Sequence, residues 1–355
     1  MRTNLRSVSP ILAATLLLAC DPFNTGFESI EGVRWYRART PTAAAAPEGA
    51  IRVMTYNVKF GGARLRFFWE CDGSRSLMTE GEVRANLDAV AARIRAAAPD
   101  IVLLQEVDTD RSKRVAYLDE VQYLLDRSGL DHAVYASQWK ADYIPSDGLG
   151  PIDSGNAILS RWPIAEAVRH ALPLRTDDSA LEGYFYLKRN AIEARIDVPS
   201  AGPLWIVATH AEAFSEDGTK RKHLERLKAI MDVHAAAGER VVGGGDLNSI
   251  PPTSPVRVGF PDVEGCEGAE YEGDDFTGEE AWLDPLYAAY HPDVTPAAFG
   301  ADPGPWFTFV GDERFPLNRK LDHLFTNGTW LRAEVLQDAI LVSDHVPLVA
   351  DLEVP

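Results

Sequence analysis

Asn57, Glu106, His210, Asp246, Asn248, Asp322 and the triplet Ser343-Asp344-His345 lie far apart in the chain, yet each closes or borders an apolar run. Carboxylates and carboxamides with single histidines form an oxygen-rich donor set. Such donors suit a hard cation, Mg²⁺ or Mn²⁺, better than zinc. Mg²⁺ takes only one or two protein carboxylates, which leaves the other Asp and His side chains to activate water and to hold phosphate oxygens. An Asp or Asn after a strand is also an ordinary turn former, so the set acquires meaning only from the elements that position it.

Those elements read as α/β. Ile51 to Val58 alternates β-branched and small residues and breaks at Gly61-Gly62, which predicts a strand. Glu82 to Ala98 places Val83, Leu87, Val90, Ala91 and Ile94 at helical spacing and is stopped by Pro99. Ile101 to Gln105 is a short run, apolar up to Leu104, of the kind buried on both faces, and it delivers Glu106 at its end. Further strands are expected at 157–160, 204–209, 240–243, 320–325 and 346–352, with a helix over 221–237. Ligands of α/β folds bind at strand ends, which is where the polar residues fall. His132, His170, His223, His234 and His291 lack such a setting and read as surface or packing residues.

Seven segments in order resemble the motifs of the endonuclease/exonuclease/phosphatase superfamily: Tyr56-Asn57, Leu104-Gln105-Glu106, 155–164, Thr209-His210, Gly245-Asp246-Leu247-Asn248, Leu321-Asp322-His323 and Ser343-Asp344-His345. The resemblance implies a four-layer α/β/β/α sandwich of two facing mixed sheets with the active site at one edge. It implies that Glu106 ligates a divalent metal, Mg²⁺ or Mn²⁺, with Asn57 beside it and Asp344 next to the metal. Asp246 would orient or deprotonate the attacking water, and Asn248 would hold the nucleophile or a phosphate oxygen. Asp322 would orient His345 to stabilise charge on phosphorus, while His210 would contact phosphate or protonate the leaving group. Asn156 reads either as a phosphate contact or as a strand-edge residue. Two departures stand out: Lys59 occupies an aspartate position of the abasic-site enzymes, and no glutamate stands near Asp153-Ser154-Gly155-Asn156 to support His210.

The substrate reads as a phosphate ester, either nucleic acid or a phospholipid or inositol phosphate; a catalytically idle binding module on the same fold is the alternative. Arg64, Arg66, Lys140, Lys188, Arg189, Arg319 and Lys320 are the candidate nucleic-acid contacts. Nothing in the sequence points to a protein partner or an oligomeric state.

The 355 residues carry a formal charge of −18, with 46% hydrophobic and 25% charged residues. That composition excludes a disordered, collagen-like or multi-pass membrane protein and a polycation. Arg2, Arg6 and the apolar run from Pro10 to Ala19 predict a signal peptide, too short to be a membrane span. Leu17-Leu18-Ala19-Cys20 resembles a bacterial lipobox, which predicts lipidation at Cys20 and a mature chain exported to the periplasmic or cell-surface side. Removing residues 1–19 takes away Arg2 and Arg6 and moves the formal charge to −20. Residues 20–50, with the Pro- and Ala-rich stretch from Arg39 to Pro47, read as a tether, and 51–355 as one domain. Setting Cys20 aside leaves Cys71 and Cys266, expected to form a disulfide or to remain two thiols.

Overall fold

The computed structural model describes residues 21, 23–42, 45–68, 70, 73–262 and 275–354. Cys20, Cys71 and Cys266 lie outside the described residues, as do the signal peptide and Trp69. In chain order the strands are β1 (Ile30–Gly32), β2 (Arg34–Arg37), β3 (Ala50–Asn57), β4 (Ile101–Asp108), β5 (His132–Ile144), β6 (Gly150–Ser160), β7 (Ile164–Ala171), β8 (Asn190–Val198), β9 (Gly202–His210), β10 (Val241–Asp246), β11 (His291–Pro292), β12 (Asp322–Thr326), β13 (Trp330–Val335) and β14 (Leu348–Glu353). They form two sheets of seven, ordered β1-β7-β8-β9-β10-β12-β11 and β13-β14-β3-β4-β6-β5-β2. Both are mixed, with β9 parallel to β10 in the first and β3 parallel to β4 in the second.

The period-2 alternation of β4 explains the layering. Ile101 and Leu103 point inward and pack with Val53, Ile158, Ile192, Ile206, Val242 and Leu324 between the sheets. Val102 and Leu104 point outward beneath α1 (Glu80–Ala97) and α2 (Glu120–Ser128), which supply Val83, Leu87, Val90, Val121 and Leu124. After the short α3 (Ala180–Phe185), α4 (Thr219–Ala236) covers the first sheet, setting Leu224, Leu227 and Met231 on Val207, Val241 and Phe325. Each aliphatic side chain so buried contributes roughly 1.5–3 kcal/mol. The start of α1 is written locally: Thr79 and Glu82 cap each other's backbone N–H groups, and the helix ends at Ala98 in a left-handed conformation (φ 49°) before Pro99. Among the described residues no helix is long and apolar enough to cross a membrane.

The expected sandwich is present, but the boundary at Ile51 moves. Within the stretch read as a tether, β1 pairs antiparallel with β7 and β2 with β5, so this segment adds an edge strand to each sheet and links the two layers. The Pro- and Ala-rich residues that follow had masked the strand-forming run Ile30-Glu-Gly-Val-Arg-Trp-Tyr-Arg37.

Candidate active site

Strand register assembles the row of candidate residues. Asp246, the last residue of β10, lies opposite His210 of β9 on one side and Asp322 of β12 on the other. The glycines of β10, Val-Val-Gly-Gly-Gly-Asp, leave room for close neighbours, the Met231 side chain of α4 at Gly243 and the adjoining strands at Gly244 and Gly245. A Cβ on Gly244 would lie 2.0 Å from the His323 carbonyl oxygen, and one on Gly245 (φ 136°) 1.9 Å from that of Thr209. Across the sandwich Asn57 ends β3 opposite Gln105. The β4–β6 register then shifts between Leu104 and Val107, and Glu106 adopts a left-handed φ of 54° in this bulge. Bulges re-aim side chains in this way. Ser343 Oγ donates to the Asn57 carbonyl at 2.9 Å, tying the Ser343-Asp344-His345 loop to the end of β3.

Asp246 is the hub. Its Oδ2 accepts from Asn57 Nδ2 at 3.0 Å and stands 3.4 Å from both His210 Nε2 and His345 Nε2, while Oδ1 accepts from the Asn248 amide at 3.0 Å. Asn57 Nδ2 also donates to Glu106 Oε1 at 3.0 Å, so one carboxamide joins the residues read from opposite sheets. Asp322 Oδ2 meets His345 Nδ1 at 2.8 Å, the expected pair. Asn248 turns its Nδ2 to the Ala211 carbonyl at 3.0 Å.

Charge follows from these contacts. Burial raises the Asp246 carboxyl; His345 pulls it back, Asp322 pushes it further, and the balance lies at about 7. Burial alone would lower the His345 imidazole, but Asp322 and Asp246 outweigh it and carry it up to about 10. At neutral pH the proton therefore resides on His345, a cation beside the reacting position. His210 is held well below 6.5 by burial and by the Arg189 guanidinium, and is neutral. For Asp322→Asn we expect kcat to fall about 10²–10³-fold and the alkaline limb of the pH–kcat profile to move acidward. The counter-charge that keeps His345 protonated is lost, and steady-state rates across pH read both effects.

The donor set is of the oxygen-rich kind that suits a hard divalent cation. Glu106 and Asp344 offer carboxylate oxygens and Asn57 a carboxamide oxygen that already accepts from the Lys59 amide at 3.0 Å. Asp246, Asp322 and His345 also offer atoms within 4.8 Å of one another. His345 Nδ1 bonds Asp322 at 2.8 Å and its Nε2 stands 3.4 Å from Asp246 Oδ2; a ring protonated on both nitrogens ligates no metal, so the trio reads as an ion-paired relay. Lys59 accounts for the aspartate departure. Its buried ammonium donates to Glu70 and to the Leu65 carbonyl and lies 3.7 Å from Asp344 Oδ2. Asp344 thus faces a protein cation, whereas the Glu106 carboxylate is met by the Asn57 carboxamide.

His210 gains no carboxylate behind it. Asp153 is spent on Tyr135 and Ser137, and His210 Nδ1 has no hydrogen-bond partner among the described residues. Asn156 donates to Asn190 at 3.2 Å, and its Oδ1 is likewise unpaired. Arg189, 6% exposed, keeps Nε and Nη1 without hydrogen bonds. Together they form a buried polar rim able to hold phosphate oxygens.

Sequence reasoning did not find Thr308, whose Oγ1 accepts from the Leu321 and Asp322 amides, or Phe309, whose ring lies 4.7 Å from that of His345. Both sit on a loop with no motif, and only the strand-end position of Asp322 hints that such a support is needed. His170 and His234 share the Glu193 carboxylate, and His223 bonds the Glu212 amide and the Pro173 carbonyl, all in packing roles.

Facing sheets that deliver a carboxylate, two imidazoles and a metal-ready glutamate to one edge define a phosphoester hydrolase in general terms. The chain belongs to the endonuclease/exonuclease/phosphatase family, whose model matches residues 54–345; enzymes of this family generally depend on a divalent metal. Among solved structures it is similar to an endonuclease/exonuclease/phosphatase from Beutenbergia cavernae (TM-score 0.58, 23% identity, 86% of this chain and 72% of that one). It is also similar to the human Nocturnin catalytic domain, determined with a bound sulfate anion (0.54, 18%, 91% and 97%). A protein of Bacteroides vulgatus is a third (0.52, 16%, 87% and 100%). These likenesses establish the fold. The comparison with curated proteins gave no match.

Proposed function

We propose that the protein is a divalent-metal-dependent phosphodiesterase that works outside the cytoplasm, held to a membrane by a lipid on Cys20. The observation that carries the catalytic part is Asp246 Oδ2, buried and shared among Asn57, His210 and His345. Asp246 would take the proton of a water attacking phosphorus in line, and the His345 cation would stabilise the charge that develops there. Arg189, Asn156 and His210 would bind the remaining phosphate oxygens. Glu106, ordered by Asn57, would hold the cation, which supplies Lewis-acid polarisation of the phosphoryl oxygen.

One observation favours a lipid or inositol phosphoester over nucleic acid. Most of the expected nucleic-acid contacts are committed inside the protein: Arg319 to Asp262, Lys320 to Asp293, Arg66 to Asp312, Arg64 to the Ile340 and Val310 carbonyls, and Lys188 to Thr25. A strongly acidic chain whose candidate contacts are so committed repels a polyanion.

Chelation tests the metal. Excess EDTA should lower hydrolysis of a chromogenic phosphodiester at least 100-fold, and Mg²⁺ or Mn²⁺, but not Ca²⁺-free buffer alone, should restore it. Undiminished turnover after chelation would remove the metal from the reaction. A panel of sphingomyelin, phosphatidylinositol, inositol phosphates and plasmid DNA then ranks the substrates, and preference for DNA would overturn the lipid reading.

A further inference from the structure

The chain enters the domain next to the catalytic edge and is fastened from the outset. Asp21 accepts a hydrogen bond from the Tyr184 hydroxyl. Phe23 packs edge to face on Tyr143 and Phe185, with ring centroids 6.1 and 6.4 Å away. Lys188 donates to Asn24 and to the Thr25 carbonyl, and the Thr25 amide donates to the Lys140 carbonyl at 3.2 Å. Large apolar side chains around this entry point face solvent: Leu181 is 71% exposed, Leu174 55%, Tyr143 51% and Phe214 48%.

The same neighbourhood borders the active site. Phe214 follows His210 by four residues, and its carbonyl accepts from Arg175, whose guanidinium lies over the Tyr186 ring at 4.9 Å. The Tyr186 hydroxyl donates to Glu212, which lies 3.9 Å from Arg189. The entry segment, the exposed apolar residues and the phosphate-holding rim are thus linked through a short series of contacts.

Chain length supplies the constraint. Cys20 precedes Phe23 by three residues, and a fully extended chain spans at most about 3.6 Å per residue, so their Cα atoms lie within about 11 Å of each other. A lipid on Cys20 would keep the neighbourhood of Phe23 close to the bilayer. We infer that Phe23, Tyr143, Leu174, Leu181 and Phe214 form a membrane-seating face that rests on the bilayer with the His210 and Arg189 edge at the lipid surface. This inference rests on the lipid-anchor reading of Cys20. Exposed aromatic and aliphatic side chains grouped in this way suit the interface between headgroups and acyl chains. The carboxylates among them, Asp21, Asp142, Asp177, Asp178 and Glu182, are balanced in part by Arg111, Arg175 and Lys188, so neither sign of charge dominates, the seating is apolar and the favoured surface is a zwitterionic bilayer.

Hydrogen exchange on the lipidated full-length protein, bound to phosphatidylcholine vesicles and compared with the Cys20→Ser chain without vesicles, tests the inference. We expect at least tenfold slower exchange in 141–148, 172–186 and 212–217, unaffected by 0.5 M salt, and no change at β13, on the opposite edge of its sheet. Leu174→Asp/Leu181→Asp should stay lipidated, keep turnover of a soluble chromogenic diester within about twofold and lose the protection. A lipidated protein whose loops exchange freely on vesicles, or a double variant protected like the wild type, overturns the inference alone. Mass measurement of the mature N terminus is independent of exchange: a terminus without lipid removes the anchor reading and the inference with it.

Discussion

Asp246→Asn is expected to lower kcat about 10³–10⁴-fold at saturating metal, the range lost when a positioned general base is removed. The substitution keeps the shape of the side chain and an oxygen for the Asn248 amide. It removes the charge that faces His345 and the site that would take the water's proton. KM should change only a few-fold, because Arg189, Asn156 and His210 remain to hold phosphate. Melting should change little, because removing a carboxylate whose charge burial disfavours is offset by setting the new NH2 group against Asn57 Nδ2. Steady-state kinetics on a chromogenic diester, with circular dichroism on the same preparation, read both quantities. A variant within tenfold of wild type would take Asp246 out of the chemistry and return the idle binding module to first place.

Lys320→Met should have the largest effect on stability. Lys320 and Asp293 are both fully buried, 2.7 Å apart, and Lys320 also donates to the Asp322 carbonyl at 2.8 Å. Asp293 in turn accepts from the Leu324 amide at 3.1 Å, so the pair braces β12 where it carries Asp322. Removing the ammonium leaves a buried carboxylate unpaired, a loss of about 3–5 kcal/mol. For a domain of this size that lowers Tm by roughly 6–12 °C. Lys320→Met/Asp293→Leu should recover most of it, because no uncompensated charge remains. Thermal denaturation of the three proteins decides the matter, and a single variant that melts like wild type would show that the pair contributes nothing. The same lysine, read from sequence as a nucleic-acid contact, is a bracing residue: two adjacent basic residues look alike in sequence whether they face solvent or the core.

Much of the site was legible because strand ends combine local signals. An apolar run followed by Asn57, Glu106, His210 or Asp246 marks where β3, β4, β9 and β10 stop, and the two long helices agree with their apolar spacing to within one or two residues. The strands β5, β7, β8 and β13 were not read, since their mixed polar patterns acquire meaning only from neighbours on each face. β1 and β2 were hidden behind a Pro- and Ala-rich stretch, although Trp35-Tyr36 is a fair strand signal.

The sequence by itself determined the α/β class, the seven ordered motifs and hence the family, together with the residue types that meet at the site. Local propensity and periodicity act within one element, and those properties are written within one element. Only the tertiary structure decided the pairings: Asp246 between His210 and Asp322, Asn57 joining Glu106 to Asp246, Lys59 facing Asp344, and His210 with no carboxylate at its Nδ1 among the described residues. These depend on register, on the bulge at Glu106 and on how closely β9, β10 and β12 approach at the glycines, quantities fixed by packing between strands distant in sequence. The orientation of the entry segment belongs to the same category, because a stretch that composition marks as a tether became an edge strand of each sheet once both offered unpaired backbone groups.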